Sequence, residues 1–127
     1  MRVFKTKSFA RFARRENLSN RALCDAVERA AGGLIDADLG GGLIKQRIGR
    51  LGQGRSGGFR TVIAWRSGER SIFVLGFAKS ARDNINAADI EDLKALAALL
   101  LGYGPAELDQ AVKEKALVEV SCNDQRT

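Results

Sequence analysis

Residues 43–78 read LIKQRIGRLGQGRSGGFRTVIAWRSGERSIFVLGFA, and this stretch decides the fold. From Leu43 to about Leu51 the side chains alternate. Ile44 and Ile48 fall on one side of an extended chain, and Lys45, Arg47 and Gly49 fall on the other. Gly52 to Gly58 is glycine-rich and reads as a flexible turn. Phe59 to Arg66 is rich in β-formers, Arg66-Ser-Gly-Glu-Arg70 reads as a hairpin turn, and Ser71 to Ala78 reads as a third strand. The third strand has too few polar residues to be one-sided, so it is expected at the centre of a sheet, covered on both faces. Short turns between the three make an antiparallel meander.

Working outward, Arg2 to Thr6 is a strand candidate. Thr6 or Ser8 can cap a helix from about Phe9, with Phe9, Phe12 and Ala13 on one face. Asn17 to Asn20 breaks it. Ser19 then caps a second helix, whose face carries Leu23, Ala26, Val27 and Ala30 and which Gly32-Gly33 ends. After the meander, Asn86 caps a long helix with Asp89 at the third position, and Ile90, Leu93, Ala97 and Leu100 form its apolar stripe. Pro105 fits the first turn of another helix, to about Lys115, and Leu117 to Val120 suits a short edge strand. The expected class is α+β: a small twisted antiparallel sheet, the three-strand meander plus the N-terminal strand, with the two N-terminal helices and the C-terminal helices packed on one face. Residues 1–120 read as a single domain, and 121–127 as a flexible C-terminal tail.

Composition removes several chemistries. The 127 residues include no His, which excludes His-based triads and His metal sites. Two cysteines, Cys24 and Cys122, stand far apart, with no CxxC and no sign of a disulfide-dense secreted scaffold. Cys24, near the apolar face of the second helix, reads as a buried small hydrophobe. Residues 1–20 are too charged for a signal peptide, and no apolar run is long enough to cross a bilayer, so a cytoplasmic protein is expected.

The net charge of +6 is unevenly spread. Between residues 45 and 82 stand Lys45, Arg47, Arg50, Arg55, Arg60, Arg66, Arg70, Lys79 and Arg82 against one acid, Glu69. The C-terminal third is acidic. Ordinary surfaces intersperse both signs, so a dense basic segment on a sheet is the footprint of an anionic partner such as nucleic acid.

The run GGGLIKQRIGRLGQGRSGGFRTVIAWRSGERSIFVLGFAKSARDNIN, Gly40 to Asn86, resembles the RelE/ParE superfamily of bacterial toxins, and within it the RelE and HigB types. The resemblance lies in the order of features: a strand with alternating bases, a basic Gly-rich turn, GGFR opening the next strand, and a hydrophobic strand ending in FAKS. It implies a toxin that cleaves mRNA in the ribosomal A site, contacts ribosomal RNA and is neutralised by a small cognate antitoxin, acidic or helix-turn-helix in character. It implies no metal and no organic cofactor.

RNA cleavage of this type uses the ribose 2′-OH as nucleophile, so the enzyme must move protons and stabilise a phosphorane. Lys45 and Arg47, two apart on one strand face, span about 6–7 Å. Lys45, crowded by Arg47, Arg60 and Lys79, is a candidate base whose ammonium those like charges disfavour, or else a simple phosphate contact. Arg60 matches the family's arginine at the strand opening and suits phosphorane stabilisation, against the alternative of a salt bridge to Glu69 or another acid. Lys79 and Arg82 match the family's basic cluster and complete the expected catalytic group. Arg50, Arg55, Arg66, Ser80 and Asn86 are the further expected RNA contacts. Ser80 stands where some members have a second arginine, and Asn86 where those members have a tyrosine; Asn86 is equally explained as a helix cap. Trp65 and Tyr103, the only tyrosine, read as structural. Two other functions compete: a ParE-like inhibitor of DNA gyrase, and a nucleic-acid-binding domain without chemistry.

Overall fold

The computed structural model describes residues 1–50, 54–79 and 85–122, and the side chains of Arg50 and of residues 54–57 fall outside the description. Strand β1 (Arg2–Thr6) leads directly into helix α1 (Lys7–Arg15). Thr6 caps α1 by accepting from the Phe9 backbone N–H at 3.2 Å. Helix α2 (Asn20–Ala31) is capped by Ser19, which accepts from Ala22 N–H at 3.1 Å. Strand β2 (Ala37–Gly40) follows. Three successive glycines, Gly40 to Gly42, all with positive φ, then turn the chain into β3 (Leu43–Arg50). Strand β4 (Gly54–Arg66) takes up part of the stretch expected as a turn, because the β3–β4 ladder continues to the pair Arg50 and Gly54. Strand β5 (Arg70–Ala78), helices α3 (Ala87–Leu101) and α4 (Pro105–Lys113) and strand β6 (Leu117–Val120) complete the chain.

The sheet has six strands in the order β2-β3-β4-β5-β1-β6. The meander is antiparallel, β1 lies parallel to β5, and β6 closes the edge antiparallel to β1. The α+β class therefore holds, with β2 and β6 extending the expected sheet at its two edges, but the sheet is mixed because β1 joins in parallel, and the helices divide between its two faces instead of sharing one. β5 is covered on both faces. On one face Phe9, Phe12, Leu23 and Val27 of α1 and α2 pack against Ile44, Ile48, Phe59, Ile63 and Phe73. On the other, Ala97, Leu100, Leu101 and Leu108 of α3 and α4 pack against Phe4, Leu43, Val62, Ile72 and Phe77.

A register shift opposite Val62 and Ile63 makes β5 bulge, so that Val74 and Leu75 both join the α3 side. Gly76 then falls on the α1 side, where a Cβ would stand only 2.5 Å from Phe12 Cε2. Trp65 packs against the α1–α2 core, and Tyr103 against the other, so both are structural.

The reading of Cys24 needs correction. Cys24 is buried as expected, but it is paired with Cys122, its Cα 5.6 Å away, in a disulfide. Their separation of 98 positions along the chain hid the proximity. It arises because β6 returns to pair Val120 with Val3, on the face that α2 covers. The bond fastens the segment after β6, expected as the start of a frayed tail, to α2. No helix among the described residues is long and apolar enough to cross a membrane.

Candidate functional site

The strand pairing decides where the cations go. On β3 the even positions Ile44, Gln46 and Ile48 face α1 and α2, so Lys45 and Arg47 face the other way. On β4, Phe59, Thr61 and Ile63 take the α1–α2 face and Arg60 and Val62 the opposite one. Arg47 and Arg60 are paired directly across the β3–β4 ladder. Residues so placed have Cβ atoms about 4.5–5.5 Å apart. Lys45 sits one step along, opposite Val62. Ala78 belongs to the α1–α2 core, so Lys79 alternates back to the face of Arg60, and its backbone N–H donates to Gly58 O at 3.2 Å. Lys45, Arg47 and Arg60 therefore occupy one face of β3 and β4, and Lys79, the residue after β5, adjoins them.

Their surroundings differ. Arg60 is buried, with 7% of its surface exposed, Lys45 is half-buried, and Arg47 and Lys79 are exposed. α3 covers only the neighbouring part of this face. Its Asp89, Asp92 and Leu93 line a small cleft with Leu75, which pairs with Val62 and so continues the Lys45 row. The carboxylates of α3 thus border the cationic area on one side.

Glu69, the acid named as an alternative partner of Arg60, is engaged elsewhere. Glu69 lies in the β4–β5 turn and bonds Arg66 at 3.3 Å and Arg70 at 3.0 Å. Arg66 itself stands six residues from Arg60 on β4, about 20 Å along the strand, so it is not part of the cluster. Arg70, also in the basic segment, is buried and donates to the carbonyls of Leu100 at 3.1 Å and Tyr103 at 2.6 Å, closing the C-terminal end of α3. Asn86 serves as the cap of α3, its Oδ1 accepting from Asp89 N–H at 2.8 Å. Ser80 and Arg82, and the side chains of Arg50 and Arg55, lie outside the described residues.

The structure also brings in three residues that the sequence did not single out. Gln46, fully buried, donates to the carbonyls of Ala26 at 3.0 Å and Leu34 at 3.1 Å and accepts from Asp36 N–H at 2.8 Å. Asp36 in turn accepts from Arg47 N–H at 2.6 Å, and Arg29 donates to Arg47 O at 2.6 Å. The backbone of Arg47 is thereby held on both sides. Only chain folding joins these residues; no spacing in the sequence signals them.

A larger cleft of about 770 Å³ lies beside the α1–α2 turn and is lined by Arg15 to Ser19, Ala22, Gly49 and Phe59. It takes none of the four clustered cations. Two perturbed bases lie away from the cluster. Burial, aided by the nearby Arg14, pushes Lys5 below its ordinary range. The hydrogen bonds that Arg2 donates to Glu119, with further help from Asp109, hold its guanidinium more firmly protonated.

The family model for the RelE toxin of the RelE/RelB toxin–antitoxin system matches residues 1–120. No curated protein matches the chain.

Proposed function

The chain belongs to the RelE toxin family, a membership that implies a cognate antitoxin as partner, and from that premise we propose that it is a ribosome-dependent endoribonuclease acting on mRNA. What supports the reading is the shared face of Lys45, Arg47 and Arg60, with Lys79 adjoining them. A ribose–phosphate backbone is a polyanion, and cations so gathered suit its grip better than those of a surface with dispersed charges.

In this reading the ribose 2′-oxygen attacks the scissile phosphorus. The P–O5′ bond breaks and O5′ takes up a proton from solvent, leaving a 2′,3′-cyclic phosphate on one fragment and a 5′-hydroxyl on the other. Arg60 presents paired N–H donors to the phosphorane oxygens from a buried, water-poor position, where such donors act most strongly. Arg47 and Lys79 hold the flanking phosphates. Lys45 is the side chain assigned to the 2′-OH proton, a role no guanidinium in the cluster can fill. Arg82, Arg50 and Arg55 are assigned further contacts with RNA from the sequence alone.

Primer-extension mapping of cellular mRNA after induction tests the proposal. In-frame cuts are expected, absent with Arg60→Ala. Intact mRNA accompanied by broken DNA would instead identify a gyrase poison. K45R separates the two roles of Lys45: it keeps the charge but cannot accept the proton, so cleavage falling as far as in K45A marks a base.

A further inference from the structure

Beside Arg47 the end of α2, the following loop and β3 enclose a cleft of about 340 Å³, lined by Arg29, Gly33, Leu34, Ile35, Asp36 and Arg47. We propose that this cleft is a nucleobase pocket, selective for guanine, for the RNA strand whose backbone lies on the cationic face. The proposal rests on the RNA-cleaving reading and goes beyond it to a specificity site.

The pocket is rigid before any ligand arrives. Leu34 N–H donates to Arg29 O at 2.7 Å, and the buried Gln46 fastens both Leu34 O and Asp36 N–H. Binding there needs little loop ordering, which favours affinity. Its walls also suit a base. Leu34 is 66% exposed and Ile35 36%, two of the few large aliphatic side chains that the described residues leave open to water. Arg29 is pinned through its contact with Arg47 O, which sets a planar guanidinium at the rim. Unstacked RNA bases settle on apolar side chains and guanidinium planes of this kind.

Asp36 supplies the selectivity. Its Oδ2 accepts from Arg47 N–H and keeps a second lone pair, while its Oδ1 makes no hydrogen bond among the described residues. A carboxylate asks for two adjacent donors. Guanine offers N1–H and N2–H side by side on its Watson–Crick edge. Adenine, cytosine and uracil each set an acceptor beside a donor, which a carboxylate repels. Arg47 lends its backbone N–H and carbonyl to this pocket and its side chain to the cationic face, so a strand that crosses the edge of β3 meets both.

The test uses the full chain and labelled 2′-O-methyl hexanucleotides, which lack the attacking hydroxyl. One carries a single guanosine among adenosines, one has inosine in its place, and one is all adenosine. Fluorescence anisotropy at low salt is expected to show the guanosine oligomer bound roughly tenfold more tightly than the adenosine one, as for a good bidentate base contact. Inosine, which lacks the N2 amino group, should fall between. Asp36→Asn keeps an acceptor for Arg47 N–H but replaces the other oxygen with a donor. It should abolish the preference and leave adenosine binding intact. Equal affinities for guanosine and adenosine in the natural protein, or an unchanged preference in D36N, would overturn the pocket while leaving RNA binding standing. Failure of all three oligomers to bind would also overturn the pocket, because a preformed base site needs no ribosome, whereas the ribosome-dependent reading stands or falls on the mapping of cellular mRNA. The guanosine–inosine comparison needs no variant, so it decides the matter even if D36N fails to fold.

Discussion

Gly76→Ala is a sharp test of how the sheet is packed. A Cβ built at Gly76 lies 2.5 Å from Phe12 Cε2, 2.6 Å from Phe12 Cδ2 and 2.9 Å from Phe9 Cε2. Carbon atoms prefer about 3.5–4.0 Å, so the rings must retreat by about 1 Å. They have nowhere to go. Phe12 meets Phe59 edge-on with centroids 5.8 Å apart, Phe9 lies against Phe73 at 5.1 Å, and Phe9 and Phe73 are wholly buried. Overpacking of this kind costs about 1–3 kcal/mol. At about 2.1 cal/mol/K per residue for the entropy of unfolding, a loss of 2 kcal/mol lowers Tm by about 7 °C. Urea unfolding followed by circular dichroism should show a lower midpoint with an unchanged slope. Gly68→Ala is the control. Gly68 has φ of 75° but no atom within 4 Å of a would-be Cβ, so it reports backbone strain alone. Adding Phe12→Leu to G76A should recover part of the loss, because the shorter side chain vacates the contested space. A G76A protein as stable as the natural one would refute the packing of α1 on β5.

Three further outcomes follow from the geometry. Arg60→Ala should lower the rate of mRNA cleavage by about 10²–10³, the usual effect of removing one preorganised transition-state donor, whereas Arg66→Ala, at the far end of β4, should leave cleavage near the natural rate; equal losses from both would break the assignment of Arg60. Cys24→Ser should destabilise by roughly 4–5 kcal/mol on the chain-entropy model, because the bond closes a separation of 98 residues; a thiol reductant should bring the natural protein to the same Tm, and insensitivity to reductant would show that the pair is not joined. Lys5→Met removes a charge whose pKa is lowered by burial and Arg14, so the ammonium costs stability below the folded pKa and the cost fades as pH rises towards the ordinary 10.5; the gain of K5M over the natural protein in thermal melts should therefore be largest near neutrality and shrink in alkali, and a difference independent of pH would contradict the burial of Lys5.

Much of this fold is legible along the chain because its signals are local. Thr6, Ser19 and Asn86 cap the helices that they announce, and the alternation from Leu43 onward gives both the strand and the side on which Lys45 and Arg47 fall. What escapes is what only folding creates. β2 is short and lacks the β-branched run that marks a strand; it exists because the three-glycine turn folds it back along β3. The Cys24–Cys122 bond and the Asp36–Arg47 contact likewise join residues that the sequence gives no reason to connect. Arg66 and Arg70 add to the basic segment without joining the cluster. Charge density marks a segment, but Glu69 and the end of α3 claim these two locally.

The sheet separates holding from reaching, and the two tasks depend on each other at single positions. Shifting a strand by one residue would send every cation of the cluster into the α1–α2 core and every core residue to the other side. Hydrophobic alternation resists that slip, but at β3 and β4 buried polar groups resist it as well. Thr61, adjacent to Arg60, donates from its hydroxyl to Gln46 O at 2.9 Å, and Gln46, between Lys45 and Arg47, spends its amide on Ala26, Leu34 and Asp36. A slipped register would leave these groups buried without partners, at about 1–3 kcal/mol each. Polar residues sealed in the core thus fix the position of charged residues on the opposite face. The most buried of the clustered cations, Arg60, is the one whose strand neighbour helps to set the lock.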